Sequence, residues 1–325
     1  MLLPTEYADC TTLAIFAPER RRQTGEEKLD RRITAGIYTL TARRGSRVRP
    51  AESLTAIDRV RESRREIEIL DADVRVHRLE RNRGVWSGEF LRRQTENIPP
   101  KAFARGGVAS LGLGRDEGLG HGAAFVFHPA NNILIWENVR TGASLSRFSA
   151  YLEHFADGSS YEVNPSLTRE AMIKLRHAHV KRLRIRIADP ADLRTFDNTQ
   201  RSIKDAMRLL ERLTNGAFVE IEVGAERGAN SFLGGAARDT MRWLLNESVE
   251  QRGGIQKLQI DGRTEDDAQL AMIDLLHDRM KATRVLDIDG NNLDRNFERR
   301  LGWLHSVYRE FSDDINRMFG EAEDE

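Results

Sequence analysis

Arginine is the residue type in this chain best suited to do chemistry, and the chemistry it suits is phosphate binding. The 51 basic residues comprise 7 lysines and 44 arginines, and one guanidinium fork can hold two phosphate oxygens. Because 51 acidic residues balance the charge, a phosphate-binding surface must be local. A composition that trades lysine for arginine throughout is the alternative explanation. The candidate DNA-binding residues are Arg20, Arg21, Arg22, Arg43, Arg44, Arg47, Arg49, Arg182, Arg184 and Arg186.

The last three of these arginines alternate with apolar residues in a predicted strand, 179–188. Alternate strand residues lie about 6.6 Å apart on one face, which is roughly two steps along one DNA strand. Glu220 and Glu222 alternate in the same way in the predicted strand 218–223. If the two strands pair, the carboxylates lie opposite the arginines and neutralise them. The pattern predicts either a phosphate track or an ion-paired, solvated sheet face.

One pair of carboxylates has a spacing known from enzymes. Asp287 and Asp289 resemble the Asp-x-Asp pair of haloacid-dehalogenase-like phosphatases, whose carboxylates attack phosphate and hold Mg²⁺. Those enzymes place Thr after the next Gly and further site residues downstream, whereas Asn291 follows here and only one predicted helix remains. We therefore assign the segment to a turn and helix N-cap through Asn291, Asn292 and Asp294.

The other patterns that could indicate catalysis are incomplete. His177 and His179 have no Cys partner and no Glu-x-x-His context for zinc. The loop 228–235 lacks the Gly-Lys-Ser/Thr ending of a phosphate loop, and the Glu-x-Lys fragment at 26–28 lies away from any predicted strand. Cys10 is the only cysteine, so it cannot form an intrachain disulfide. We predict no catalytic residue, no metal, no cofactor and no enzymatic activity.

Composition indicates an ordinary globular protein. With 325 residues, 39% of them hydrophobic and 31% charged, the chain is long enough for two domains. No apolar run approaches the roughly 20 residues of a membrane span, and the first residues do not form a signal peptide. We predict a cytoplasmic protein.

The segment 83–155 carries the most regular structural signals. Residues 85–91 alternate between aromatic or branched and small or polar types, which predicts a strand. Residues 123–137 predict a hairpin around the turn Pro-Ala-Asn-Asn, and the polar residues at 141–144 predict the start of a helix. The apolar positions of that helix are Leu145, Phe148, Leu152 and Phe155.

This segment, GVWSGEFLRRQTENIPP at 84–100 and RDEGLGHGAAFVFHPANNILIWENVRTGASLSRFSAYLEHF at 115–155, resembles an uncharacterised bacterial domain family. That family is related to the RexA sensor protein of the phage lambda Rex exclusion system. The resemblance implies a DNA-binding, homodimeric protein of phage defence without enzymatic activity. It also implies a membrane or effector protein from the same operon as a candidate partner.

Predicted strands and helices alternate after residue 164, which favours sheets covered by helices. We predict an α+β fold with mixed or antiparallel sheets and a long C-terminal amphipathic helix. The predicted domains are an N-terminal α+β domain, 1–164, and an αβ domain, 165–325. In order, the second domain has a helix at 168–177, a strand at 179–188, a helix through 203–213, a strand at 218–223, a helix at 237–251, a strand at 255–261, a helix at 264–278 and a strand at 284–289.

The last predicted helix, 294–319, carries an uninterrupted apolar heptad stripe that ends at Met318. The stripe packs either on its own domain or on the same helix of a second subunit. The resemblance favours the second arrangement. The predicted homodimer interface is Phe297, Leu301, Leu304, Tyr308, Phe311 and Ile315.

The predicted function is non-enzymatic, sequence-tolerant binding of duplex DNA in phage defence or exclusion, as a sensor or a nucleoid-type binder. The alternative is an effector enzyme or toxin, phosphatase-like or nuclease-like. Salt distinguishes the two, because phosphate contacts make DNA affinity fall linearly with salt on logarithmic axes.

Overall fold

The computed structural model describes residues 28–177, 179–188, 218–225, 233, 244, 255–264, 267–289 and 292–320. Its strands are β1 (Lys28–Ala42), β2 (Ile67–Glu68), β3 (Asp73–Asn82), β4 (Val85–Gln94), β5 (Lys101–Ala102), β6 (Val108–Ala109), β7 (Leu119–His128), β8 (Ile133–Glu137), β9 (Tyr161–Pro165), β10 (His179–Ala188), β11 (Phe218–Gly224), β12 (Ile255–Thr264), β13 (Asp267–Asp274) and β14 (Lys281–Asp289). Its helices are α1 (Pro50–Arg59), a 3-10 turn (Glu62–Arg64), α2 (Leu145–His154), α3 (Arg169–His177), α4 (Leu293–Glu310) and α5 (Ser312–Phe319).

An antiparallel sheet of eight strands organises the larger part of the described chain. Its order is β14-β1-β8-β7-β4-β3-β2, and β9 pairs with the far end of β1. β1 spans 15 residues, so it can pair with β14, β8 and β9 along its length. Because side chains alternate along a strand, Ile33 and Ile37 are buried on one face of the sheet and Tyr38 and Leu40 on the other.

Helices cover both faces of this sheet. On one face, α1 and α2 enclose an aromatic core in which the rings of Phe90 and Phe125 lie 5.2 and 5.0 Å from the ring of Phe148. On the other face, α4 and α5 cover an aliphatic core that includes Ile135 and Val126. The sheet is therefore the middle layer of three, and its strands are apolar on both faces.

A second antiparallel sheet has the order β11-β10-β12-β13. Leu183, Ile185 and Ile187 of β10 are buried on one of its faces, together with Ala171 of α3. The chain crosses between the two sheets twice, at residues 166–168 and 278–280. Leu167 and Arg279 form an isolated bridge there, so the two crossing segments run side by side.

The predicted α+β class, with antiparallel sheets and a C-terminal helix, is confirmed. The strand at 85–91, the hairpin at 123–137 and the helix after Ser144 are also confirmed. Ser144 caps that helix by accepting from the Arg147 amide at 3.3 Å. The predicted helices through 203–213 and 237–251 lie outside the described residues, apart from Leu244.

One secondary-structure element and the domain division differ from the sequence prediction. Residues 267–274 form a strand, not a helix, because they pair with β12 and place Ile273 opposite Ile260. The predicted division assigned 165–325 to one domain, but β14 pairs with β1 and α4 packs on the first sheet. Both differences arise from pairing or packing with elements that are distant in sequence. A local sequence pattern carries no information about such distant partners.

Candidate nucleic-acid interface

The turn between β1 and α1, residues 43–49, is held in place by the segment that precedes β9. The Ser46 hydroxyl donates to the Ser160 carbonyl at 2.8 Å and accepts from the Ser160 amide at 3.0 Å. The buried Ser159 hydroxyl accepts from two turn amides, at 3.1 and 2.9 Å. Because these bonds use serine hydroxyls and backbone groups, the turn is fixed without any arginine side chain.

Four exposed arginines of this turn are called the basic turn: Arg43, Arg44, Arg47 and Arg49. Within the described ranges, none of their guanidinium groups forms a hydrogen bond or an ion pair. α1 begins at Pro50, so the positive end of its dipole lies beside these charges. The Glu52 carboxylate, which accepts from the Arg49 amide at 2.7 Å, offsets part of that field. The result is a rigid surface with net positive charge.

Three arginines on one face of β10 are called the arginine ladder: Arg182, Arg184 and Arg186. Arg182 and Arg184 contact Glu222 of β11 at 3.0 and 2.9 Å and Asp261 of β12 at 3.7 and 3.2 Å. The hydrogen bond from Arg184 lowers the pKa of Glu222, so that carboxylate stays ionised. The geometry matches an ion-paired sheet face, one of the two predicted alternatives.

The three predicted contacts Arg20 to Arg22 lie outside the described residues.

The predicted dimer stripe belongs to the core of its own chain. Phe297, Leu301, Leu304 and Ile315 are buried against the first sheet, and Tyr308 and Phe311 are partly buried there. α4 ends at Glu310 and α5 begins at Ser312, so the stripe lies on two helices. The assignment to a subunit interface does not hold, because the apolar face of β1, β7 and β8 already covers these side chains.

A buried ion network fastens α4 to the sheet, and no sequence pattern indicated it. Arg300 donates to Glu137 at 2.8 Å and also to Glu89. Glu137 is only 2% exposed and accepts from the Ala124 amide at 2.9 Å. Gly122 makes room for Glu89, since a Cβ there would collide with its carboxylate. Arg300 balances one of the two carboxylates, and Arg78 supplies a second cation 3.9 Å from Glu89, so the network cross-links helix and sheet.

Two histidines lie where α4 meets the end of β7. His128 stacks on Tyr308 with ring centroids 3.5 Å apart. Burial, with a smaller contribution from His305, lowers the pKa of His128 to about 4. Burial, and then Arg309, lowers the pKa of His305 as well. Both imidazoles are therefore neutral at pH 7 in the folded protein.

Asp287 lies within β14, which includes the predicted strand at 284–289. Its Oδ2 is 3.1 Å from a guanidinium nitrogen of Arg299 on α4, so it links strand to helix. The predicted N-cap is confirmed at Asn292, whose side chain accepts from the Arg295 amide at 2.9 Å. Asn291 lies outside the described residues.

A cleft of about 390 Å³ on the helix α2 side of the first sheet was also missed. Arg140, Arg279 and Lys281 line it. The first of these residues is far from the other two along the chain, so their proximity leaves no signal in the sequence.

The two antiparallel sheets, the helices on both faces of the larger one and the exposed basic turn define the class: an α+β protein with a local basic surface. The chain belongs to DUF6731, a family of unknown function whose model matches residues 26–315. No curated protein matches the chain. Among the described residues, no helix combines the length and apolar character needed to cross a membrane.

Proposed function

We propose that this protein binds duplex DNA with little sequence preference, through the basic turn. One observation carries the proposal: four exposed guanidinium groups lie on a rigid turn and, among the described residues, have no carboxylate partner. Unpaired arginines that a phosphate can neutralise contribute most of the sequence-independent affinity for DNA.

The geometry of the turn supports contact with the DNA backbone more than with base edges. Seven residues closed by Ser46 and Ser159 form a short projection, whereas reading bases requires an element that enters a groove. Phosphate contacts fix the position of the protein without conveying sequence. The adjacent N-terminus of α1 favours an anion at the same place.

The biological role is proposed from the resemblance to the RexA-related family. It is non-enzymatic phage defence in the cytoplasm, as a homodimer with a partner from the same operon. A homodimer would use a surface other than the stripe on α4 and α5, because that stripe is buried within its own chain. An effector enzyme is the competing class.

The test is a salt titration of binding to a random-sequence duplex, from about 50 to 200 mM salt. The variant Arg43→Ala, Arg44→Ala, Arg47→Ala removes three phosphate contacts, so the logarithmic slope should flatten by about 2 to 3 units. Arg49 is kept because it immediately precedes α1.

Two matched variants complete the experiment. Lysine at the same three positions keeps the charge and should keep the slope, with weaker binding because the guanidinium fork is lost. Alanine at the three ladder positions removes equal charge and should leave the slope nearly unchanged. Equal slopes for wild type and the basic-turn alanine variant would refute the proposal. Cleavage or dephosphorylation of the DNA would instead support the enzyme.

A further inference from the structure

The basic cleft is the cleft of about 390 Å³ that lies where β8 ends, α2 begins and the chain returns from the second sheet. Asn138 and Arg140 follow β8, Ser144 caps α2, and Arg279 and Lys281 flank the start of β14. The cleft is distinct from the basic turn. Arg43 lies five residues along β1 from Tyr38, a lining residue, which is roughly 17 Å.

Backbone hydrogen bonds fix the walls of the cleft. The Met280 amide donates to the Ser166 carbonyl at 2.8 Å, and the Thr168 amide donates to the Asp278 carbonyl at 2.7 Å. The Ile37 amide donates to the Met280 carbonyl at 3.1 Å. The crossing segments are thereby tied to each other and to β1, so the cleft exists before any ligand arrives.

The charges around the cleft have one sign. Arg140 and Lys281 are exposed, and within the described part of the chain neither side chain has a hydrogen bond or an ion pair. No aspartate or glutamate is among the described residues that line the cleft. The N-terminus of α2 adds the positive end of its dipole. The charged side chains among the described lining residues are therefore all cationic.

Arg279 is the inner cation of the cleft and is half-buried. Burial lowers the pKa of its guanidinium, and nearby Tyr38 and Asp274 partly oppose that effect. Asp274 accepts from Gln259 at 3.0 Å and from the Leu276 and His277 amides at 3.1 Å. An anion beside a partly desolvated cation gains more than one beside a solvated cation.

We infer that the basic cleft binds a small phosphorylated ligand of mononucleotide size. Arg140, Arg279 and Lys281 contact the phosphate, and the Asn138 and Ser144 side chains offer hydrogen bonds to the rest of the molecule. The volume is within the range of small-molecule sites. This site is independent of the proposed DNA binding, since it uses none of the basic-turn arginines.

Calorimetric titration with adenosine monophosphate, inorganic phosphate and adenosine tests the inference. The first two probes should bind and adenosine should not, because the cations recognise phosphate. Arg140→Ala and Lys281→Ala should each weaken binding at least about ten-fold, the effect of losing one charge-assisted hydrogen bond. Arg284→Ala, an exposed arginine of β14 outside the cleft, should leave affinity unchanged.

The substituted side chains are exposed, so melting temperatures should stay close to wild type and confirm that the variants are folded. Absence of binding by both phosphate-bearing probes, or equal affinity in wild type and the Arg140→Ala, Lys281→Ala double variant, would overturn the inference. Loss of DNA binding in that variant without any small-ligand binding would assign the cleft to the DNA surface instead. The basic-turn alanine variant should bind adenosine monophosphate normally, which separates this test from that of DNA binding.

Discussion

The basic turn and the arginine ladder have the same residue type and different neighbours. The ladder arginines extend from a strand between two others, and Glu222 and Asp261 lie within 4 Å of Arg182 and Arg184. The basic turn leaves the sheet, and among the described residues its guanidinium groups have no such partners. An arginine cluster is therefore available to phosphate when its guanidinium groups are not already held in ion pairs by the fold.

The largest expected effect is on folding. It tests whether the stripe on α4 and α5 is buried within its own chain or joins two subunits, each with one basic turn. Leu304→Glu places a charge at a fully buried position, and several kcal/mol per buried ion is comparable with the whole stability of a domain. The variant should unfold or aggregate, as calorimetry and light scattering would show. Gly302→Glu, two residues away in open space, should fold normally. A folded monomer for Leu304→Glu, from a wild-type dimer, would restore the stripe as a subunit interface and double the basic turns per particle.

The next effect is on the free energy of unfolding as a function of pH. It defines the pH range in which the basic turn and the arginine ladder can be compared in the folded protein. His128 has a folded pKa of about 4, below the ordinary 6.5, so the unfolded chain takes up a proton first as pH falls. Stability should therefore decline between about pH 6.5 and 4, by roughly 1.4 kcal/mol per unit. His128→Phe should flatten that decline in urea unfolding curves measured at several pH values. An identical decline in wild type and variant would exclude His128 as the cause.

A smaller effect tests whether carboxylates are what prevents the ladder from binding DNA. Glu222→Gln with Asp261→Asn should increase DNA affinity several-fold and steepen the salt slope by about 2 units, because it neutralises both carboxylates that pair with Arg182 and Arg184. Glu298→Gln with Glu310→Gln removes the same charge from exposed positions on α4 and serves as the control. Equal gains in both variants would mean that net charge, and not local pairing, distinguishes the two clusters.

The smallest effect concerns Asp287. Asp287→Asn should change DNA affinity less than about two-fold, because the carboxylate contacts Arg299 and lies opposite Asp30, at the other end of β1 from the basic turn. The proposed protection of cells from phage should also be retained. Loss of protection in a variant that folds and binds DNA would support the phosphatase-like alternative.

The sequence predicted elements whose signals are local. The hairpin at 123–137 followed from its turn, in which Asn132 has a φ of 56°, and α2 followed from Ser144 and its apolar spacing. β13 was predicted as a helix because its polar start resembles an N-cap, whereas pairing with β12 determines its structure. The stripe on α4 was recognised as buried, but only the structure shows that β1, β7 and β8 cover it.

The basic turn and the basic cleft differ in the same way in how far the sequence could predict them. The types and exposure of Arg43, Arg44 and Arg47 could be predicted, because a polar stretch rich in arginine is usually solvated. The basic cleft could not, since Arg140 and Lys281 come together only when β8 and β14 join one sheet on either side of β1. The relation to the RexA sensor stays a prediction.

The pairing of β1 with β14 has a consequence for how the chain reaches this fold. Thr34 and Thr283 share a side-chain hydrogen bond across 249 residues of sequence. During synthesis on the ribosome, the amides and carbonyls of β1 that pair with β14 remain without these partners until residues 281–289 have emerged. Such high contact order slows folding, and an open edge strand invites pairing with other chains. Expression yield should therefore depend on synthesis rate and chaperone supply more than the stability of the finished protein suggests.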